Sequence, residues 1–211
     1  MTNLSTLLTL ADSRLPTGGH VHSGGIEEAV TGGLVVDLPT LRAYLRRRIR
    51  THGLVTASVA AAVHAGTLCI NDAELETDAR TPAPAARQAS RAQGRGLARL
   101  ARRVWPDHDW QLLGTTPHLA VAAGAVGAAS GLNPDQTALS IVYTTMTTSA
   151  TAAQRLLALD PGDVAALTFE LAPLCDQTAA EALKELADLS DPLLDVLAQR
   201  HSERERPLFA S

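Results

Sequence analysis

The 211-residue chain has one lysine, Lys184, two cysteines, Cys69 and Cys175, and only 3% aromatic residues. Each scarcity removes a class of function. A phosphate loop needs Gly-Lys-Ser or Gly-Lys-Thr after a strand, so that amides wrap the phosphates and the lysine neutralises them. Neither Gly18-Gly19 nor Gly24-Gly25 has that ending or a preceding strand, which excludes an intrinsic nucleotide hydrolase and leaves any nucleotide chemistry to a partner. The cysteines stand apart with no CxxC and no secretory context, so two free, buried thiols are expected. No uninterrupted apolar run reaches about 18 residues, and residues 1–15 lack the basic start and apolar middle of a signal peptide. A cytoplasmic protein with no membrane contact is predicted. Runs with strand chemistry are also few, so the buried surface should lie on helices.

What is present is alanine and leucine. Apolar residues make up 45% of the chain, enough to bury a core. With no repeat and no low-complexity linker, residues 1–211 are expected to form one all-α domain, a bundle of roughly eight to ten helices. Helices are predicted over 4–12, from Ser23 or Gly24 to Gly32-Gly33, and from an Asp37 cap with a bend at Gly53 through His64. Further helices are expected over 71–81, from "TPAPAA" to Trp105, over "HLAVAAGAVGAAS", and from an Asn133 or Pro134-Asp135 start. The last three are placed near 161–172, 176–188 and 191–199, followed by a charged tail over 200–211 that should fray when free. The charge is uneven. Residues 1–105 carry 13 arginines and 8 acids, and residues 106–211 carry 5 basic residues and 14 acids. Such halves either close on one another within the fold or face different partners.

Two segments concentrate chemistry. The first, "LADSRLPTGGHVHSGGIEEAV", places a proline, two Gly-Gly pairs and two histidines between helices as an elbow. His20 and His22 form a His-x-His pair that can share a metal ion, but no third ligand is close in sequence except Glu27 or Glu28, and on spacing alone histidines bonded to the elbow backbone are the favoured reading. Glu27 and Glu28 lie about 100° apart on a helix, where their simpler role is to complement its amino end. Ser23 beside His22 is adjacency without a triad, no GxSxG is present, and no catalytic set emerges. His52, His64, His108 and His118 stand singly and read as structural or solvated. The second segment repeats arginine every four residues, at Arg87, Arg91, Arg95 and Arg99. Beside it runs a small-residue row, Ala86, Ser90, Gly94 and Ala98, on which another helix can lie close. With "RRRIR" at 46–50, these arginines support an alternative reading as a helical nucleic-acid-binding regulator. An acidic total and the lack of a recognition-helix pair weigh against it.

Three blocks resemble one family. "LLTLADSRLPTGGHVHSGGIEEAV" resembles the amino-terminal signature of urease accessory protein F, "RQASRAQGRGLARLA" its central Arg-x-x-Ser-x-x-x-Gly segment, and "RHSERERPLFAS" its terminal Arg-His-Glu…Arg-Leu-Phe-x-Ser. Together they cover about a quarter of the chain. The resemblance implies an all-helical, homodimeric maturation factor without catalysis of its own. It implies binding to accessory protein D (also called H) and, through it, to the GTPase accessory protein G, which binds the GTP. The complex would load nickel into apo-urease.

On that resemblance the partner-binding residues are Pro16, Gly18, Gly19, His22, Ser23 and Glu27 of the elbow, Arg87, Ser90, Arg91 and Gly94 of the central segment, and His201, Leu208 and Phe209 of the tail. No cofactor is held tightly, and nickel would touch His20 and His22 transiently. The tail is expected to order when the D-type partner binds. Departures from the pattern are His20 where the family has an aromatic, Pro207 where it has arginine before Leu-Phe, and "ALDPGD" after the Arg-Leu helix end. His201, Leu208 and Phe209 therefore carry over more readily than Arg206.

Overall fold

A computed structural model describes residues 3–12, 15, 22–188, 191–204, 208 and 209. Among them are ten α-helices and no strand. The helices are α1 (Leu4–Leu10), α2 (Ile26–Thr31), α3 (Leu38–Arg48), α4 (Leu54–His64), α5 (Ile70–Ala79), α6 (Pro84–Val104), α7 (Leu119–Ala129), α8 (Pro134–Leu157), α9 (Pro161–Ala182) and α10 (Pro192–Ser202). The all-α reading holds.

Local chemistry sets the boundaries. Asp37 starts α3 by accepting from the Thr40 amide at 2.9 Å, while the Thr40 hydroxyl accepts from the Asp37 amide, a reciprocal cap that satisfies otherwise orphaned donors. Asn133 and Gln136 make the same reciprocal arrangement at α8. The bend expected at Gly53 is a π-helical turn over Ile49–Gly53 that joins α3 to α4. Helix α4 is the central element. It packs against α7, α8 and α9, and Ala57, Ser58, Val59, Ala60 and Ala61 are all buried. Alanines on α4 and α7 let the backbones come close, which explains how a chain so poor in aromatics fills its core.

Three expectations need correction. The acidic stretch after 160 is one helix, α9, with Pro173 inside it. An internal proline costs about 3 kcal/mol, but Pro173 is on the exposed side. Leu167, Leu171, Leu174, Cys175 and Thr178 are buried on both sides of it. Burying each leucine is worth about 2 kcal/mol, so the continuous apolar face outweighs the missing hydrogen bond. Cys69 is exposed rather than buried; it caps α5, its sulfur accepting from the Asp72 amide. The tail is not frayed at residues 208 and 209, as described below.

The uneven charge partly closes on itself. Arg42 bonds Glu170 at 3.0 Å, Arg47 bonds Asp191 through two hydrogen bonds at 2.6 and 2.7 Å, and Arg80 reaches Asp188 at 2.7 Å. The Arg47–Asp191 pair matters most, because the Asp191 side chain is 3% exposed and a buried carboxylate needs its partners. Arg42 and Glu170 are both exposed, and such a pair contributes only a few tenths of a kcal/mol, roughly.

Candidate partner-docking surface

The amino-terminal elbow is fastened where it enters α2. Gly25 sits at φ +86°, a left-handed conformation that glycine adopts without strain. The carbonyl of Gly24 accepts from the Tyr44 hydroxyl and from Arg48 Nη1, both at 2.8 Å. Ser149 Oγ donates to the Ser23 carbonyl at 3.2 Å. Burial pushes the Tyr44 hydroxyl up to about 12, so it remains a donor. His22 and Ser23 are buried. Behind the elbow lies a cavity of about 220 Å³ that reaches Gly24, Arg48, His52, Thr144 and Asp195. Pro16, Gly18, Gly19 and His20, and with His20 the expected His20–His22 metal site, lie outside the described residues. Among the described residues no three His, Cys, Asp or Glu side chains are grouped to hold a metal ion.

From the elbow, α2 runs against α10, and here the two ends of the chain meet. Glu27 is 1% exposed. Its Oε1 accepts from the Leu208 amide at 2.9 Å and its Oε2 from the Phe209 amide at 3.1 Å. His201, also buried, bonds the Phe209 carbonyl through Nε2 at 3.1 Å and brings Nδ1 to 3.6 Å from Glu27. Arg204 bonds Glu28 at 2.5 Å. Phe209 packs against the core, while Leu208 stands 78% exposed. Glu27 does begin a helix, as its position suggested, but its carboxylate is spent on the tail. Glu27, His201, Leu208 and Phe209 are thus brought together from opposite ends of the sequence.

The central segment is built differently. Arg91 bonds Glu74 at 2.7 Å and Asp78 at 3.0 Å, and a third contact at 3.0 Å goes to the Thr116 carbonyl. Arg87 bonds the Thr81 carbonyl at 2.8 Å. His118 is fully buried; its Nε2 lies 2.8 Å from Asp78, its Nδ1 3.0 Å from Ser90 Oγ, and its amide donates to Glu74 at 2.9 Å. Ser90 Oγ also accepts from the Leu119 amide at 3.1 Å, at the start of α7. A neutral His118 that donates from Nε2 and accepts the Ser90 hydroxyl at Nδ1 satisfies every member. Burial holds the His118 imidazole below its ordinary value. For Asp78, burial acts upward, but the His118 hydrogen bond and the Arg91 charge outweigh it and keep the carboxyl low.

The Asp78–His118–Ser90 order has the look of a hydrolytic triad, yet no solvent reaches the imidazole and Ser90 already accepts the Leu119 amide. The array is a brace between α5, α6 and α7. Gly94 completes it, because a Cβ there would meet the Pro117 carbonyl oxygen at 2.1 Å. The small-residue row therefore does let another segment lie close, and that segment is residues 117–119. Arg87, Ser90, Arg91 and Gly94 are placed in this brace, with the Arg87 and Arg91 side chains still 34% exposed. Glu74, Asp78 and His118 were missed as functional partners in the sequence; the signal was there in the four-residue spacing of Glu74 and Asp78, which matches that of Arg87 and Arg91.

The family model for UreF matches residues 35–172 of the chain, a span that includes the whole brace. The chain belongs to the UreF family. It is 80% identical to the urease accessory protein UreF of Mycobacterium sp. (strain JLS), over 211 residues and the full length of both. It is also 78% identical to that of Mycolicibacterium vanbaalenii over 214 residues and 70% identical to that of Mycobacterium tuberculosis over 211, again covering both chains fully. The UreF relatives extend through the elbow and the tail, so the Glu27 junction lies inside the shared length.

Proposed function

We propose that the chain is a non-catalytic urease maturation scaffold, one domain over 1–211, that joins accessory protein D (H) to the GTPase accessory protein G and enables GTP-dependent insertion of nickel into apo-urease. The observation that carries this reading is end-to-end similarity to urease accessory proteins UreF at 80% identity. The fold supports it in two ways. Among the described residues the triad-like array spends its hydrogen bonds on bracing helices, and Glu27, where the elbow enters α2, meets the tail beside the exposed Leu208. In this reading the scaffold homodimerises, works in the cytoplasm and touches nickel only transiently, at His20 and His22. No helix among the described residues is long and apolar enough to cross a membrane.

The alternative, nucleic-acid binding through the arginine faces, loses Arg87 and Arg91 to internal pairs. Coexpression with the D-type and G-type proteins, followed by affinity capture and size exclusion with GTP and nickel, tests the scaffold. A stoichiometric complex that activates apo-urease is expected. Separate elution of folded partners would reject it, and DNA binding with a steep salt dependence would then be the reading to examine.

A further inference from the structure

The π-helical turn over Ile49–Gly53, which packs against α8, places Arg48 and His52 near its two ends. Both side chains line the cavity of about 220 Å³ behind the elbow. Burial lowers both, Arg48 below its ordinary value and His52 to about 3, yet each keeps accessible surface. Their open sides therefore face the cavity and not bulk water.

Arg48 is incompletely matched in the chain. Its Nη1 donates to the Gly24 carbonyl at 2.8 Å, but its Nε is buried with no hydrogen-bond partner. Asp191, the carboxylate whose charge reaches it, spends its oxygens on Arg47 and Thr51. A buried guanidinium left in this state is costly, and a bound anion offsets that cost. Gly24 makes the room, since a Cβ there would fall 2.5 Å from Arg48 Nη2.

The rest of the wall narrows the ligand. Arg80 is paired with Glu76 and Asp188, Asp12 already has an interaction of its own, and burial pushes the Asp195 carboxyl up, towards its neutral form. Among the described residues on the wall, Arg48 is thus the cation left for a ligand, and a single charge favours a monoanion over phosphate. Thr145 and Thr148 add hydroxyls from α8, while Val55, Val59, Leu119 and Ile141 present apolar surface. A cavity of about 150 Å³ already accepts a benzene ring, so this one has room for a ring-sized body beside a charged group.

We propose that the cavity is a binding site for a monocarboxylate with a small apolar body, its carboxylate held by Arg48 and an N–H of His52 and its body lodged among Val55, Val59, Leu119 and Ile141. Neutral imidazole has one N–H to give. The site is independent of the scaffold reading.

Titration of the full-length protein with benzoate, followed by NMR at the Arg48 Nε–H signal, tests it. Benzoate at millimolar concentration should shift that signal to saturation and raise the melting temperature. Benzyl alcohol, the ring without the charge, and inorganic phosphate, the charge without the ring, should do neither. Arg48→Met keeps an unbranched stem and should weaken benzoate binding at least about tenfold. Because it removes an unpaired buried charge, it should melt no lower than the parent. Should it melt lower through loss of the Gly24 contact, the contrast among the three probes on the parent protein still decides. No shift with benzoate, a response to benzyl alcohol as large as that to benzoate, or benzoate binding that Arg48→Met leaves intact would overturn the site. An equal response to phosphate would overturn its assignment to apolar carboxylates.

Discussion

The brace at Ser90, Gly94 and His118 and the junction at Glu27 use the same materials, a carboxylate, a buried histidine and backbone amides, to opposite ends. In the brace the partners come from three successive helices, α5 to α7, and every contact lies within 44 residues along the chain. In the junction the contacts cross 181 and 182 residues and end on a side chain left in solvent. One arrangement closes a core; the other ties a terminus to the surface. The difference shows that a buried charge network is no sign of a binding site by itself. At the junction the network ends beside an exposed leucine, Leu208.

The largest effect that would test this contrast is Gly94→Ala. A methyl group there falls 2.1 Å from a backbone oxygen, and backbone cannot swing aside as a flexible side chain does, so about 3 kcal/mol of stability should be lost. Urea denaturation measures it. A loss below about 0.5 kcal/mol would show that the brace yields and is not the rigid half of the comparison.

Acid should distinguish the two regions next. His118 binds a proton less readily in the fold than at its ordinary value of 6.5. The stability it provides is therefore complete above about pH 6.5 and is lost as pH falls through the lower folded value. Asp78, held below 3.8, acts in the same direction at more acidic pH. His52 and His64 are also held low, by burial first, His52 down to about 3, and add to the same slope. Replacing His118 with Gln should flatten part of the fall in unfolding free energy below pH 6.5, at the cost of lower stability at neutral pH. An unchanged slope would mean that His118 titrates as it does in water.

Much of this was legible in the sequence. Caps at Asp37 and Asn133, the bend at Gly53 and the close-packing row through Gly94 followed from residue type and spacing, because each depends on neighbours within a few positions. The stretch after 160 was read as two helices because propensity is local, while the leucines that hold α9 together across Pro173 gain their energy from other helices. His118 read as solitary because its partners, Ser90 and Asp78, are 28 and 40 residues away. The tail contacts were illegible for the same reason at a greater distance. Family resemblance marked Glu27, His201, Leu208 and Phe209 as important, but only the fold shows that they touch.

Within the junction itself, Phe209 and Leu208 should separate cleanly. Phe209 is half-buried against the core, so Phe209→Ala should lower stability by about 1 kcal/mol, less than the cost for a fully buried ring. Its effect should appear mainly as faster exchange around α2 and the tail, since a terminal segment can open without the rest.

Leu208→Ala should change stability least, by less than about 0.5 kcal/mol, because the side chain is already in water and the amide that binds Glu27 is untouched. That near-silence gives the measurement its value. If the variant melts like the parent and keeps its tail protected, any loss of partner binding belongs to the leucine side chain alone. A clear fall in stability would instead place Leu208 inside the fold's own packing, and the junction would then be a second brace like the one at His118.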